Sequence, residues 1–266
     1  MQVEQIIKKT GDGSTTLISA QFDQPYHSLG GAVLESRYVY FKATGLDDRI
    51  FSPKADKLNI MEVGFGSGMN LVLLMDYIEK SEAEISVTYT SVEAYPLLAD
   101  IVEEIDFGDQ LEYLNYHNLL HEIFSNLTTR WNRYQITPKI TLNLFVGFFN
   151  ELTNPGNLEF DYIMHDPFSP DSNPAGWTAD LFAKLAEWSS DDVMLSTYCA
   201  ATSARAAMAA GGWKIARAPG ALGKREMTVA SINPNNLSHL KRVNEKRLIE
   251  RFESGEFGQP FRNRRQ

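Results

Sequence analysis

Apolar positions along the chain fall into two alternating patterns, short β-branched or continuous apolar runs and longer stretches at helical spacing. Residues 58–63 read as a buried strand, the alternate glycines Gly64, Gly66 and Gly68 follow, and residues 71–78 carry apolar side chains spaced as on a helix. Residues 85–93 form a second strand that ends in an acid. Pro96 then opens a helix through Leu97, Leu98, Ile101, Val102 and Ile105, since proline suits a first helical turn. Residues 107–139 read as an insertion with helical patches and the aromatic cluster Trp131 and Tyr134. The alternation resumes with strands over 140–147, 160–166 and 193–198 and helices over 178–188 and 202–210. Strands 213–218 and 227–232 are joined by a loop alone and so predict an antiparallel pair. Ahead of all this, residues 5–10 and 15–19 flank Gly11-Asp12-Gly13-Ser14, a hairpin expected to cover one edge of the domain.

This order predicts one large α/β domain with a mostly parallel seven-stranded sheet, an antiparallel last strand and an N-terminal hairpin. The division is residues 1–57 as hairpin and pocket-lining extension, 58–232 as the main domain and 233–266 as a basic extension. With 266 residues, 43% of them hydrophobic, the chain can bury a full core. No apolar run approaches the roughly 20 residues that span a bilayer, and the first residues lack a signal-peptide pattern, so a cytoplasmic location is expected. Cys199 is the single cysteine, which excludes an intramolecular disulfide and a cysteine-rich zinc site. His117 and His121 lie four apart with no third ligand pattern, and a surface helix fits them better than a metal site.

Charge alters the picture through its distribution. A formal net charge of −9 weighs against a nucleic-acid partner, because phosphate contacts need clustered Lys and Arg. From residue 224 to 266, however, ten Lys/Arg stand against five Asp/Glu, a net of +5 that leaves −14 on residues 1–223. The basic end reads either as an RNA-contacting tail or as a solvated helix face followed by a frayed terminus.

Candidate chemistry sits where strands end, the side on which parallel sheets place ligands. Glycines between a strand and a helix N-terminus tolerate positive φ and let a ligand approach bare amides. A dinucleotide site wants its third glycine at position 69, which is Met69, so a nicotinamide enzyme is the weakest reading. Glu93 closes the second strand 25 residues past Gly68, where an acid can accept two ribose hydroxyls. Asp166 closes the 160–166 strand ahead of a rigid Pro167-Phe168-Ser169-Pro170 loop, in which Phe168 and the later Trp177 offer flat faces for a base or adenine. The stretch from Tyr26 to Val39 sets polar groups among apolar ones and reads as a pocket entrance or a generic helix.

The Gly-x-Gly-x-Gly spacing with Glu62 two residues ahead resembles the first motif of class I S-adenosylmethionine methyltransferases, a Rossmann-like fold whose strand order the predicted elements match. A narrower resemblance rests on Tyr26-His27-Ser28 with Gly31-Ala32 and Glu35-Ser36, on residues 62–70, on Asp166-Pro167-Phe168-Ser169-Pro170 before Asn173-Pro174 and Trp177, and on Gly223-Lys224-Arg225-Glu226-Met227. Over residues 20–232 these look like the MnmC methyltransferase family, which forms 5-methylaminomethyl-2-thiouridine at the tRNA wobble position. The resemblance implies S-adenosylmethionine as methyl donor, no metal, and tRNA as partner, the acceptor being the amine of an aminomethyl group. It implies that Glu62, Gly64, Phe65, Gly66, Ser67, Gly68 and Asn70 hold the methionine end, Glu93 and Ala94 the ribose, and Gly147 the adenine side. It places Asp166 at the methyl-transfer centre, with Pro167 and Phe168 beside it. Tyr26, His27 and Glu35 would meet the acceptor, and Lys224, Arg225 and Glu226 the RNA. Two departures stand out: Phe148 occupies the place of an acid, and His165-Asp166-Pro167 replaces an Asp-Gly pair. Bifunctional members add a flavin-dependent oxidase half, and this chain is expected to carry only the methyl transfer, with separate enzymes supplying the aminomethyl group. Two alternatives stay open, a methyltransferase acting on another amine and a catalytically silent cofactor-binding module that engages RNA or protein.

Overall fold

The computed structural model describes residues 6–52, 56–81, 84–109, 111 and 115–258. The chain opens with β1 (Ile6–Lys9), β2 (Thr15–Ser19) and β3 (Gln24–Pro25), then α1 (Ala32–Ser36), a π-helical turn over Arg37–Lys42, and α2 (Leu46–Phe51). The main domain begins with β4 (Lys57–Val63), α3 (Met69–Ser81), β5 (Ser86–Glu93), α4 (Ala99–Glu103) and α5 (Tyr116–Ser125). It continues with β6 (Arg130–Thr137), β7 (Ile140–Val146), β8 (Phe160–His165), α6 (Ala179–Glu187), β9 (Ser189–Thr197) and α7 (Thr202–Ala210). The last elements are β10 (Lys214–Ala218), β11 (Met227–Ser231), β12 (Lys241–Arg242) and α8 (Glu245–Glu253).

Nine strands form the main sheet in the order β12-β10-β11-β9-β8-β4-β5-β7-β6. The five central strands β9, β8, β4, β5 and β7 run parallel, and β11 enters antiparallel between β9 and β10. Their inner residues are buried on both faces, as a parallel sheet with crossover helices requires, and small polar residues such as Thr90, Ser91 and Ser196 are buried among the apolar ones. One apolar layer gathers Leu71–Leu74 of α3 with Val102, Leu120 and Ile123; the other gathers Leu181, Phe182 and Leu185 of α6 with the alanine-rich face of α7 and Leu248 of α8.

The expected seven strands are the interior of this sheet, and an edge strand is added on each side. On one side, the stretch expected as an irregular insertion contains β6, antiparallel to β7, with Trp131 and Tyr134 on the strand. Its register shifts between Gln135 and Thr137, which weakens the period-two signal. On the other side, β12 pairs with β10 and α8 packs on α7. The C-terminal extension is therefore folded up to residue 258 and includes the expected helix, while the terminus expected to fray lies outside the described residues. Arg262, Arg264 and Arg265 lie outside the described residues, as does Gln5 of the predicted hairpin.

The N-terminal hairpin is part of a separate three-stranded sheet, β1-β2-β3, all antiparallel. Instead of flanking an edge it lies over the strand ends. Leu17 is buried in the core, and Thr15 and Asp106 exchange bonds, Thr15 N donating to the Asp106 carbonyl at 2.6 Å and Asp106 N to Thr15 Oγ1 at 2.7 Å.

Candidate active site

Under this cap, at the carboxyl ends of β4, β5, β7 and β8, lies a cavity of about 910 Å³. Tyr26, His27, Glu35, Gly64, Phe65, Gly66, Asn70, Glu93, Ala94, Gly147, Asp166, Pro167, Phe168 and Lys224 all line it. The turn after β4 takes positive φ at Gly64 (+95°), Gly66 (+54°) and Gly68 (+78°), which only glycine adopts without strain. The three glycines face different neighbours. A Cβ on Gly64 would meet the Asp166 backbone, one on Gly66 would reach the Tyr26 ring at 3.3 Å, and one on Gly68 would lie 2.7 Å from Leu120 of α5. Gly68 thus seats α5 against the loop and does not border the cavity.

The acids at the strand ends do three separate jobs. Glu93 is braced by amides, Oε2 accepting from Gly66 N at 2.9 Å and Oε1 from Tyr95 N at 2.8 Å, so it ties the glycine loop to the end of β5. Burial raises its pKa and these amides oppose the shift. Glu62 is buried behind the cavity, accepting from Asn70 Nδ2 at 2.9 Å and Ser91 Oγ at 2.7 Å, and burial pushes its carboxyl up to about 8. Its reach into the cavity is indirect, through Asn70, whose Nδ2 also approaches Asp166 Oδ2 at 3.4 Å.

Asp166 follows β8 and is fixed by its own amide, which donates to the Val63 carbonyl at 2.9 Å. Burial raises its carboxyl to about 8, and the nearby Glu35 charge pushes the same way while Tyr40, Asn70 and Lys224 oppose it. His165 projects to the opposite face, as strand alternation requires. Its ring lies 4.6 Å from Trp177 and 4.9 Å from Phe182, and burial holds it down to about 3, a neutral core residue. Trp177, expected as a stacking face, is fully buried. Its indole N–H donates to the Phe168 carbonyl at 2.8 Å and so shapes the proline loop from beneath.

The residues expected on the acceptor side divide. His27 Nε2 contacts Ser67 Oγ at 3.0 Å, and burial lowers its pKa to about 4. Ser67 is itself buried, so it acts on the cavity only through His27. Glu35 pairs with Lys224 inside the cavity. Arg225 is exposed and Glu226 turns away, accepting from Arg205 Nη1 and Arg217 Nη1, both at 3.1 Å; neither lines the cavity.

Several lining residues, Phe22, Gln24, Tyr40 and Tyr198 among them, carried no sequence signal. Phe22 stacks on Phe168 with centroids 4.4 Å apart and meets Tyr95 edge-on at 5.5 Å, while Tyr26 abuts Phe168 at 4.9 Å. Gln24 of β3 clasps the proline loop, its Nε2 donating to Ser169 Oγ at 2.8 Å. Tyr40 reaches the cavity from the π-helical turn, whose wider winding is marked by Ala43 N bonding the Tyr38 carbonyl at 2.9 Å. Tyr198 donates to the Pro167 carbonyl at 2.8 Å. Phe148 is 50% exposed at the rim, 5.8 Å from Tyr95, and its amide donates to Glu151.

The donor set suits an adenosyl sulfonium. A bare-backbone cradle, a strand-end carboxylate and an aromatic wall line one cavity, and Asn70 Oδ1 is buried without a hydrogen-bond partner. Among the described residues no group of three or more His, Cys, Asp and Glu is placed to hold a metal, and no helix is long and apolar enough to cross a membrane.

Comparison with known proteins agrees with this geometry. Residues 112–233 match the family model of S-adenosyl-L-methionine-dependent methyltransferases. The chain is 31% identical over 212 residues to the tRNA 5-methylaminomethyl-2-thiouridine biosynthesis bifunctional protein MnmC of Pseudomonas fluorescens, covering 76% of this chain and 31% of that protein. It is 27% identical over 215 residues to the MnmC of Chromobacterium violaceum, covering 79% and 32%. The chain thus spans about a third of the length of these curated relatives. The solved structure of MnmC2 from Aquifex aeolicus superposes with a TM-score of 0.75 at 24% identity, covering 99% of this chain and 80% of the other, and shares the fold.

Proposed function

As an MnmC-like class I methyltransferase dependent on S-adenosyl-L-methionine, the chain needs an acceptor, and we propose that this is the aminomethyl group of a tRNA wobble uridine, converted from 5-aminomethyl- to 5-methylaminomethyl-2-thiouridine. What supports the reading is the gathering of two carboxylates, Asp166 and Glu35, in the cavity that also holds the glycine cradle and Glu93. An alkylammonium acceptor finds the Glu35 carboxylate there and, in Asp166 once ionised, a buried base to take its proton.

In this reading Gly64, Phe65, Gly66 and Asn70 hold the methionine end of the donor, and Glu93 with Ala94 holds the ribose. Gly147 and Phe148 border the adenine. Glu62 and Ser67 act at one remove, through Asn70 and His27. Bound S-adenosylmethionine supplies an electrophilic methyl carbon, so the protein's work is alignment and freeing the amine lone pair. Asp166 accepts the ammonium proton, a role that a carboxyl raised to about 8 serves better than an ordinary one because its proton affinity approaches that of the amine. Pro167 and Tyr198 fix the loop beyond it. The acceptor enters past Tyr26 and His27, with Lys224 and Arg225 toward the phosphates, while Glu226 anchors the Lys224-bearing loop to Arg205 and Arg217.

The three-part division follows the same logic: residues 1–57 cap the cavity, 58–232 perform the transfer and 233–266 buttress the sheet. A tRNA acceptor places the protein in the cytoplasm, downstream of enzymes that install the aminomethyl group. The test is methyl transfer from labelled donor to bulk tRNA lacking this modification, followed by nucleoside analysis. Label in 5-methylaminomethyl-2-thiouridine supports the reading. Label in another nucleoside, or donor binding with no transfer, overturns it in favour of another acceptor or a silent module.

A further inference from the structure

One ion pair in the cavity is left unused by proton transfer to Asp166. Glu35 of α1 is 9% exposed; its Oε2 accepts from the Ser28 amide at 3.1 Å and its Oε1 from the Lys224 ammonium. The Lys224 side chain is 47% exposed and arrives from the loop between β10 and β11. Backbone geometry holds that loop in place. Leu222 and Gly223 both have positive φ (+52° and +77°), and Lys224 N bonds the Ala221 carbonyl at 2.9 Å. A Cβ on Gly220 would lie only 2.6 Å from the Lys224 carbonyl oxygen, so the turn is closed tightly beneath the lysine. The pair is electrostatically part of the Asp166 site. The Glu35 charge raises the Asp166 pKa, the Lys224 charge lowers it, and Tyr40 and Tyr198 feel both acids.

The two partners differ in what separation costs them. A buried carboxylate that loses its cation is heavily penalised, whereas a half-exposed lysine regains water and is weakly held. Such a pair favours exchange of one cation for another over simple opening. The ammonium on Glu35 is also of the same chemical class as the acceptor in the reading above.

We propose that Glu35 anchors the acceptor's ammonium and that Lys224 is its resident stand-in, displaced when a cationic acceptor enters. The proposal rests on the acceptor being an alkylamine. Exchange of ammonium for ammonium leaves the charge of the pocket unchanged. A neutral hydroxymethyl group of the same shape must instead displace a cation from a buried anion, and is rejected. Once released, Lys224 is free to turn from the rim toward a phosphate of the acceptor.

The test is calorimetric titration with two free nucleosides, 5-aminomethyl-2-thiouridine and its 5-hydroxymethyl analogue, in the presence of S-adenosylhomocysteine. Nucleosides lack the phosphates that would confound a lysine substitution. Relative to the unmodified protein, K224M binds the amino nucleoside at least fivefold more tightly, because its competitor is gone. E35Q binds it at least tenfold more weakly and loses most of the preference for amine over hydroxyl. Weaker amine binding in K224M overturns the proposal, since a merely structural pair would lose affinity from either side. That arm decides alone if E35Q does not fold. If neither the nucleoside nor tRNA binds or is methylated, the acceptor reading has failed and the ammonium site is tested separately with benzylamine against benzyl alcohol. Preference for the amine, enhanced in K224M, supports the exchange site; absence of preference overturns it.

Discussion

Gly64 and Asp166 stand back to back across the β4–β8 boundary, so that a Cβ on Gly64 would lie 2.8 Å from the Asp166 carbonyl oxygen. The first turn of the glycine loop and the position of the acid are therefore one constraint. Gly64→Ala combines this contact with a φ of +95°, and we expect a loss of about 1–3 kcal/mol of stability. Gly66→Val, at φ +54° and 3.3 Å from the Tyr26 ring, should instead show its main effect as lost binding of S-adenosylhomocysteine. Denaturant unfolding beside calorimetry separates the two; a folded Gly66→Val protein with unaltered affinity would remove the loop from the donor site.

Asp166→Asn keeps the volume but removes the proposed proton acceptor. Single-turnover methyl transfer should fall roughly a hundredfold or more, the usual consequence of losing a positioned acid-base group. Binding of S-adenosylhomocysteine should change far less. In the unmodified protein kcat/KM should climb with pH as this carboxyl ionises, toward about 8, and that limb should vanish in the variant. Equal loss of binding and transfer would make Asp166 a binding group only.

Glu62 and Asp166 together set a pH dependence of stability. Both carboxyls are raised to about 8 by burial, from 4.5 and 3.8, so between those limits the folded state binds more protons than the unfolded chain. Stability is then highest at the acid side of this window and declines as pH rises toward 8. Glu62→Gln, which can still accept from Asn70 and donate to Ser91, should flatten the decline. Melting temperatures from pH 5 to 8.5 check it, and an unchanged slope in the variant would assign the dependence elsewhere.

Phe22 joins the cap to two loops, through Phe168 and Tyr95. Phe22→Ala removes both ring contacts, each worth on the order of 0.5–1.5 kcal/mol. Dissociation of S-adenosylhomocysteine should accelerate several-fold, measured by stopped flow, with the association rate less affected. An unchanged off-rate would mean that the ligand leaves by another face.

Arg225 is exposed beside the Glu35–Lys224 pair, whereas Arg242 and Arg251 are paired with Glu245 and Glu256. Arg225→Ala should reduce the salt slope of tRNA binding by about one, leaving donor affinity intact. Substituting Arg251 should not alter that slope. The reverse result would shift RNA contact from the loop to the C-terminal helix.

The interior of the fold was legible because the five parallel strands are short β-branched, aromatic or apolar stretches bounded by turn residues and alternating with helical spacing. Strand-end acids were legible for a related reason: Glu93 and Asp166 stand where such a stretch gives way to a loop. The edges were not. β6 exposes alternate residues and shifts register, and β12 is two residues long, too short for any period. Tyr40 was hidden because a π-helical turn breaks the 3.6-residue spacing, and Phe22 and Gln24 because a cap that closes over a ligand needs no periodic face. The resemblance implies an RNA-side place for Glu226, and no sequence pattern reveals its two arginine partners, Arg205 of α7 and Arg217 of β10, 21 and nine residues before it.

The two borders of the main sheet are guarded by different means. β12 closes off β10 with two basic residues, and α8 follows at once, so little of that backbone is left to recruit a foreign strand. Among the described residues β6 pairs with no strand beyond it, and Arg130 and Arg133 interrupt its apolar side chains. A sheet this wide would otherwise present two templates for intermolecular pairing while the slow parallel centre assembles. Protection against intermolecular pairing during synthesis thus falls to the two border strands, one of which also anchors the cavity rim through the Arg130–Glu151 pair.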